Sequence, residues 1–194
     1  MKETEITVEV FDSVNDTIKK LISNGFEIIE KFDMIDYYFS KETTQTLLTL
    51  DYKQLINKSF LVRKMLTEKP YSQLMYKSKE MDSNGNVIAE EKIKSLIDNP
   101  EKTIKILKLA GLNMWCEITQ NMYVFSKDKI QFALQIVDNL GSFIEYEEQD
   151  WMSHLSEHEK IKAMLSDLKD TGLKLGTDYS CKKVYMKFKK ENLK

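Results

Sequence analysis

Residues 139–147, Asn-Leu-Gly-Ser-Phe-Ile-Glu-Tyr-Glu, constrain the fold more than any other stretch of the chain. Gly141 supplies the permissive backbone of a tight turn. After it the residues alternate with period two. Phe143, Glu145 and Glu147 therefore point to one face of a strand, and Ile144 and Tyr146 to the other. Two carboxylates on one strand face, about 7 Å apart by strand rise, do not suit a dry core. Either that face is solvated, or it lines a polar cavity that holds a metal.

The chain opens on a similar pattern. Glu3, Glu5, Thr7 and Glu9 share one face, and Ile6, Val8 and Val10 the other. Asp12 and Ser13 cap a helix predicted over Val14 to Ser23, with an apolar stripe of Val14, Ile18, Leu21 and Ile22 and an end at Gly25. Strands are predicted over residues 26–39, 60–65, 74–79, 87–94, 112–126 and 130–137. Asn84-Gly85 reads as a hairpin turn between two of them. Asn99-Pro100-Glu101 opens a second helix, which Gly111 ends. Residues 41–58 read as a loop plus a short helix. Trp151 to Leu168 reads as one long amphipathic helix, with Gly172 and Gly176 beyond it.

Composition narrows the function classes. The 194 residues suffice for one domain with a sizeable core. A net charge of −2 provides no overall basic field for nucleic acid. No apolar run is long enough to span a membrane, and the charged N-terminus does not read as a signal peptide. Cys116 and Cys181 stand far apart and in no metal-type spacing, which implies reduced thiols and a cytoplasmic location. No phosphate-cradling glycine motif is present, so ordinary nucleotide folds are not supported. His154-Leu155-Ser156-Glu157-His158 matches the H-x-x-E-H zinc motif. No later pattern identifies a third ligand, so it reads as an exposed helix face.

Leu140-Gly141-Ser142-Phe143-Ile144-Glu145-Tyr146-Glu147 resembles the L-G-x-F-x-E-x-E signature of the CYTH family. That family contains class IV adenylate cyclases, thiamine triphosphatases and other triphosphate tunnel metalloenzymes. The resemblance runs over nearly the whole chain. Glu3 and Glu5 match the glutamates of E-x-E-x-K, with Thr7 at the lysine; a register two residues later aligns Glu5, Thr7 and Glu9 and keeps the same face inward. Asp36-Tyr37-Tyr38-Phe39 resembles D-x-Y-[FY]. Arg63 matches the second arginine of L-R-x-R, with Leu61 at the first, and Lys77 matches the lysine of T-x-K, with Lys79 on the same face. Lys183 and Tyr185 stand in a segment similar to the family's closing one. The departures lose cations, at Thr7, Leu61, Thr119 and Gln120, while carboxylates are kept; no arginine precedes Glu90, and Gln135 stands at the usual aspartate.

The resemblance implies one α+β domain over residues 1–194: an eight-stranded antiparallel β-barrel, the triphosphate tunnel, with helices packed outside. Glu3, Glu5, Glu145 and Glu147 would bind Mg²⁺ or Mn²⁺, hard ions that favour carboxylate and water ligands. Arg63, Lys77, Lys79 and Lys183 would grip phosphate oxygens. The implied partner is a small-molecule triphosphate or another polyanion, bound by a monomer or homodimer with no nucleic acid and no membrane. The implied activity is metal-dependent hydrolysis of inorganic, nucleoside or thiamine triphosphate. The alternatives are a non-enzymatic module that binds a phosphorylated or polyanionic ligand, and a class IV type cyclase. In the family the missing lysine lies by the reacting phosphate, so Thr7 bears on turnover more than on binding. The strand patterns alone also permit solvated glutamates and edge-strand charges that discourage aggregation.

Overall fold

The computed structural model describes residues 2–81, 87–180 and 182–193. The Asn84-Gly85 turn and Cys181 lie outside the described residues. The strands are β1 (Lys2–Glu3), β2 (Glu5–Val10), β3 (Glu27–Ser40), β4 (Lys58–Leu66), β5 (Tyr71–Met81), β6 (Val87–Ile97), β7 (Asn113–Lys127), β8 (Ile130–Val137) and β9 (Gly141–Glu147). The helices are α1 (Val14–Ser23), α2 (Thr44–Thr49), α3 (Tyr52–Asn57), α4 (Pro100–Leu109), α5 (Glu157–Lys169) and α6 (Lys183–Asn192).

All pairings are antiparallel, in the order β1-β6-β5-β4-β3-β7-β8-β9-β2. Only Thr4 separates β1 from β2, so the nine segments amount to eight strands. The first half of this opening strand pairs with β6 and the second half with β9, which closes the sheet into a barrel. Glu148 holds the switch point: its Oε2 accepts from Thr4 N at 2.9 Å, and its own N–H donates to Thr4 O at 2.8 Å. Lys160 on α5 donates to the same carboxylate at 2.7 Å. The edge of β2 that faces away from β9 is covered by the chain after α5. Phe11 N donates to Lys174 O, Gly176 N to Glu9 O, and Thr7 N to Tyr179 O, at 2.8–3.2 Å. No long strand edge is left bare there.

The two faces of each strand meet different surroundings. Outward residues Ile6, Val8, Phe125, Phe132, Leu134, Ile144 and Tyr146 pack under Leu21 of α1 and Ile161, Met164 and Leu168 of α5. Tyr146 turns its hydroxyl to Asp167 at 2.9 Å, so its polar tip is satisfied. On the other side Phe39 and Val62 pack under Leu107 of α4. Inside the barrel, Tyr38, Leu61, Met75, Ile118, Val137 and Phe143 meet Leu47 of α2, Leu55 and Ile56 of α3, and Val184 and Phe188 of α6. One section of the lumen is thus an apolar plug. Leu61, where the family pattern has an arginine, is fully buried in it.

The long helix expected over Trp151 to Leu168 is interrupted. A 3₁₀ turn covers Asp150–Met152, and α5 starts only at Glu157. Ser156 and Glu159 form a capping box, each side chain bonding the other's backbone N–H, and this fixes the helix start. Residues 41–58 carry two short helices rather than one, parted at Leu50-Asp51, where Asp51 and Gln54 exchange side-chain to backbone bonds. In the turn before β9, Asn139 shares the unusual backbone role assigned to Gly141, with φ values of 57° and 153°.

The Thr4 clamp sets a pH dependence. Burial raises the pKa of the Glu148 carboxyl, but the bonds from Lys160 and Thr4 outweigh it and hold the group below its ordinary value of 4.5. A carboxylate with a depressed folded pKa stabilises the fold above its unfolded pKa, and the contribution is lost as pH falls through the folded value. Replacing Glu148 by Gln should cost about 1–3 kcal/mol at neutral pH. The gap between parent and Glu148→Gln in urea unfolding should close as pH is lowered below 4.5; a gap independent of pH would mean that the charge is not what holds Thr4.

Candidate functional site

The inward face of the strands builds a charged section beside the apolar plug. Glu5 and Thr7 on β2 lie opposite Glu147 and Glu145 on β9. Asp36 on β3 lies opposite Arg63 on β4, and Lys79 on β5 opposite Glu90 on β6. Lys77 faces Lys92, also on β6. Gln120 of β7 and Gln135 of β8 are fully buried on the same inner face. Period-two alternation on the strands brings these groups together, although they span residues 5 to 147.

Of the predicted metal ligands, Glu5, Glu145 and Glu147 meet. One carboxylate oxygen from each lies within 4.8 Å of the others. A set of three carboxylates is the oxygen donor chemistry that Mg²⁺ or Mn²⁺ takes, so these residues fit such an ion. Glu3 stays at the rim and joins the group through Lys92, whose Nζ lies 3.1 Å from Glu3 Oε2.

The four predicted phosphate ligands line the lumen, each already held by a carboxylate. Arg63 makes a two-pronged bond to Asp36, Nε and Nη2 each 2.7 Å from a carboxylate oxygen. Lys77 lies 3.1 Å from Glu90, and Lys79 lies 2.5 Å from Glu90 and 3.4 Å from Glu5. Lys183 enters from the first turn of α6 and donates to Glu145 at 2.8 Å and to Gln135. Buried charge is tolerable only when paired in this way.

Sequence reasoning gave no role to Lys92, and noted Glu90 only for the arginine missing before it. Lys92 Nζ sits 2.9 Å from Glu5, 2.5 Å from Glu147, 3.1 Å from Glu3 and 3.6 Å from Glu90. The available signal was alternation on β6, where Glu90, Lys92 and Lys94 share one face.

These partners tune the acids. Burial would raise the pKa of Glu5, but Lys79, Lys77 and Lys92 hold it well below the usual carboxylate range. Burial likewise opposes ionisation of Glu145, and Lys183 outweighs it, bringing that group to about 2. For Lys92 burial works against the charge, and Glu5, Glu147 and Glu90 reverse the effect and hold it above the ordinary lysine value. Glu5 and Glu145 are therefore ionised at neutral pH.

Among the uncharged side chains of the inner face, Thr7 Oγ1, both amide atoms of Gln120, and Gln135 Nε2 are buried and make no hydrogen bond. Thr7 and Gln120 are two of the positions where the family pattern has cations. They offer neutral donors and acceptors to a bound group in place of charge.

The zinc-like motif does not assemble. His154 and His158 are exposed, and the metal-capable group found among the described residues contains neither. Burial pushes the Cys116 thiol up to about 12, so it stays protonated at neutral pH.

The Asp36–Arg63 pair yields a stability prediction. Asp36 is 1 % exposed, so Asp36→Ala leaves a mostly buried guanidinium without its partner. The expected cost is about 3–5 kcal/mol. Urea unfolding should read it as a lower midpoint with an unchanged slope, and a shift below about 0.5 kcal/mol would mean that water already screens the pair.

No protein-family model matches the chain. A protein of Methanocaldococcus jannaschii named "Putative adenylate cyclase MJ0240" is 26 % identical over 196 residues, covering 97 % of this chain and 99 % of the relative. The PH1819 protein of Pyrococcus horikoshii superposes with a TM-score of 0.71 at 16 % identity, over 97 % of this chain and 98 % of that one. "Putative adenylyl cyclase HpAC1" from Hippeastrum, a protein described as having a dominant triphosphatase activity, superposes with a TM-score of 0.62 at 17 % identity, over 97 % and 96 % of the two chains. Among the described residues, no helix is long and apolar enough to cross a membrane. The architecture that the family resemblance implies is thus found in this chain, and the resemblance to the class IV adenylate cyclase-like, or CYTH, proteins holds for it.

Proposed function

We propose that this protein is a metal-dependent phosphohydrolase that takes a triphosphate compound into its barrel. One observation carries the reading: Glu5, Glu145 and Glu147 converge to within 4.8 Å beside inward-facing Lys77, Lys79 and Lys183. Anionic ligands for a hard cation and cationic ligands for phosphate oxygens stand in one lumen. The similarity to a protein with triphosphatase activity supports hydrolysis over cyclisation.

Glu5, Glu145 and Glu147 would hold Mg²⁺ or Mn²⁺. Held there, such an ion would offset phosphate charge and polarise the phosphoryl oxygens. Lys77 and Lys79 act as point charges toward phosphate oxygens, exchanging Glu90 for the ligand. Lys183 closes over the site from α6 and orients Glu145. The apolar plug of Leu61, Met75, Ile118 and Phe143 sets the inner limit of the polyanion and keeps water from that end.

A second reading has its own observation. Thr7 replaces the lysine that the family places by the reacting phosphate, and its hydroxyl makes no bond. The protein would then bind the polyanion without turning it over. Phosphate release from tripolyphosphate, ATP and thiamine triphosphate, each with Mg²⁺ and with Mn²⁺, separates the two. Release that disappears in Glu145→Gln/Glu147→Gln is the expected result. Calorimetric binding without release would select the binding module, and no binding of any polyanion would remove both.

Thr7→Lys sharpens the test. Thr7 lies opposite Glu145, so a lysine there gains a carboxylate partner on the inner face. A restored charge beside a transferring phosphoryl group is worth about 2.7–4 kcal/mol, or roughly a hundred- to a thousand-fold in rate. Phosphate release from tripolyphosphate with Mn²⁺ should rise in Thr7→Lys over the parent. No gain in a folded variant would place the missing charge elsewhere.

A further inference from the structure

We propose that Lys92 is a tethered counter-ion seated where the metal would sit, so that a divalent ion binds this chain only by displacing its ammonium. The inference rests on the metal-centre reading of Glu5, Glu145 and Glu147.

The geometry points to a seat rather than an ordinary ion pair. Lys92 Nζ lies within 2.5–3.6 Å of carboxylates from β1, β2, β6 and β9, and its side chain is 4 % exposed. It touches two of the three glutamates that form the metal-capable group, Glu5 and Glu147. An ammonium has three N–H donors, and Glu3, Glu5 and Glu147 crowd it at 2.5–3.1 Å, with Glu90 beyond hydrogen-bond reach at 3.6 Å. Glu5 Oε2 lies 2.9 Å from Nζ and Glu5 is 1 % exposed, so the ammonium holds the side of this carboxylate that a metal would need.

The ammonium and a divalent ion cannot share this space. The two cations repel each other at about 4 Å in a poorly screened interior, and they compete for the same carboxylates of Glu5 and Glu147. The exit is short. Glu147 is 51 % exposed and Glu3 36 % exposed, so the cluster reaches the tunnel mouth. A lysine stem has the rotatable bonds to swing its head to that rim. A polyanion that enters with the metal would give the displaced ammonium a new partner, so metal and polyanion should bind cooperatively.

The test uses Mn²⁺ as the probe and binding as the readout. Lys92→Met keeps the stem and removes the charge. By calorimetry without polyphosphate, it should bind Mn²⁺ at least about tenfold tighter than the parent, within the usual range of site couplings. Lys92→Met/Glu90→Gln removes one charge of each sign and carries the same expectation if the single variant does not fold. The parent supplies a check free of folding effects. Saturating Mn²⁺ should increase acylation of Lys92 by an amine-reactive ester, read by peptide mass spectrometry, while other lysines change little. Affinity equal to or below the parent's in the variants, or unchanged labelling of Lys92, overturns the role of Lys92 and leaves the metal centre standing. Absence of Mn²⁺ binding in every protein overturns both.

Discussion

Charge buried inside a small barrel has to be balanced inside it, and this constraint organises the rest of the structure. Six acidic side chains, Glu3, Glu5, Asp36, Glu90, Glu145 and Glu147, project into the lumen or its rim, and Arg63, Lys77, Lys79, Lys92 and Lys183 answer them at ion-pair distances. Arg63, Lys77 and Lys79 meet Asp36 and Glu90 across neighbouring strands, whereas Lys79–Glu5, Lys92–Glu5 and Lys92–Glu147 join parts of the chain far apart in sequence. The latter pairs form only when the barrel is closed. They in turn reward the closed register, because slipping a strand by one residue would carry its charges into the apolar layer outside.

Closure itself hangs on a short opening strand. It reaches β6 through two residues and β9 through six. Glu148 and Lys160 secure the point where it changes partners, and residues 174–180 cover the edge that neither strand pairs. The helices act at two levels. α1, α4 and α5 bury the outer face of the barrel, while α2, α3 and α6 contribute apolar side chains to the plug inside it. α6 alone also sends a cation, Lys183, into the charged section, so the C-terminal helix links the plug to the site.

The family cations that this chain lacks are replaced in two physically different ways. Leu61 belongs to the plug, where a charge would have no partner and a leucine packs. Thr7 and Gln120 stay in the polar section as buried groups with unused hydrogen-bonding capacity. The first replacement shortens the polar lumen; the second removes charge from it without making it apolar. Meanwhile Lys92, on a strand read for a missing arginine, restores positive charge at the carboxylate end. The balance is kept while its location shifts.

The strands were legible in the sequence because a half-buried strand writes its two faces in alternation. Glu145 and Glu147 against Ile144 and Tyr146 show this, as do Glu5 and Thr7 against Ile6 and Val8. Helix starts that depend on a local cap, such as Ser13 and Asn99, were legible for the same local reason, and α5 started later than its apolar period implied because Ser156 and Glu159 cap it there. The sequence by itself thus determined the strand faces, and its motif resemblance pointed to the barrel and to Glu5, Glu145 and Glu147 as inward carboxylates. Only the tertiary structure decided which cation answers which acid. Lys92 and Glu147 are 55 positions apart, and Lys79 and Glu5 are 74 apart. Periodicity records which face a residue takes, but it holds no information about which strand lies across the lumen. That is set by the barrel's register and closure, and with it the finding that the predicted phosphate ligands already have partners.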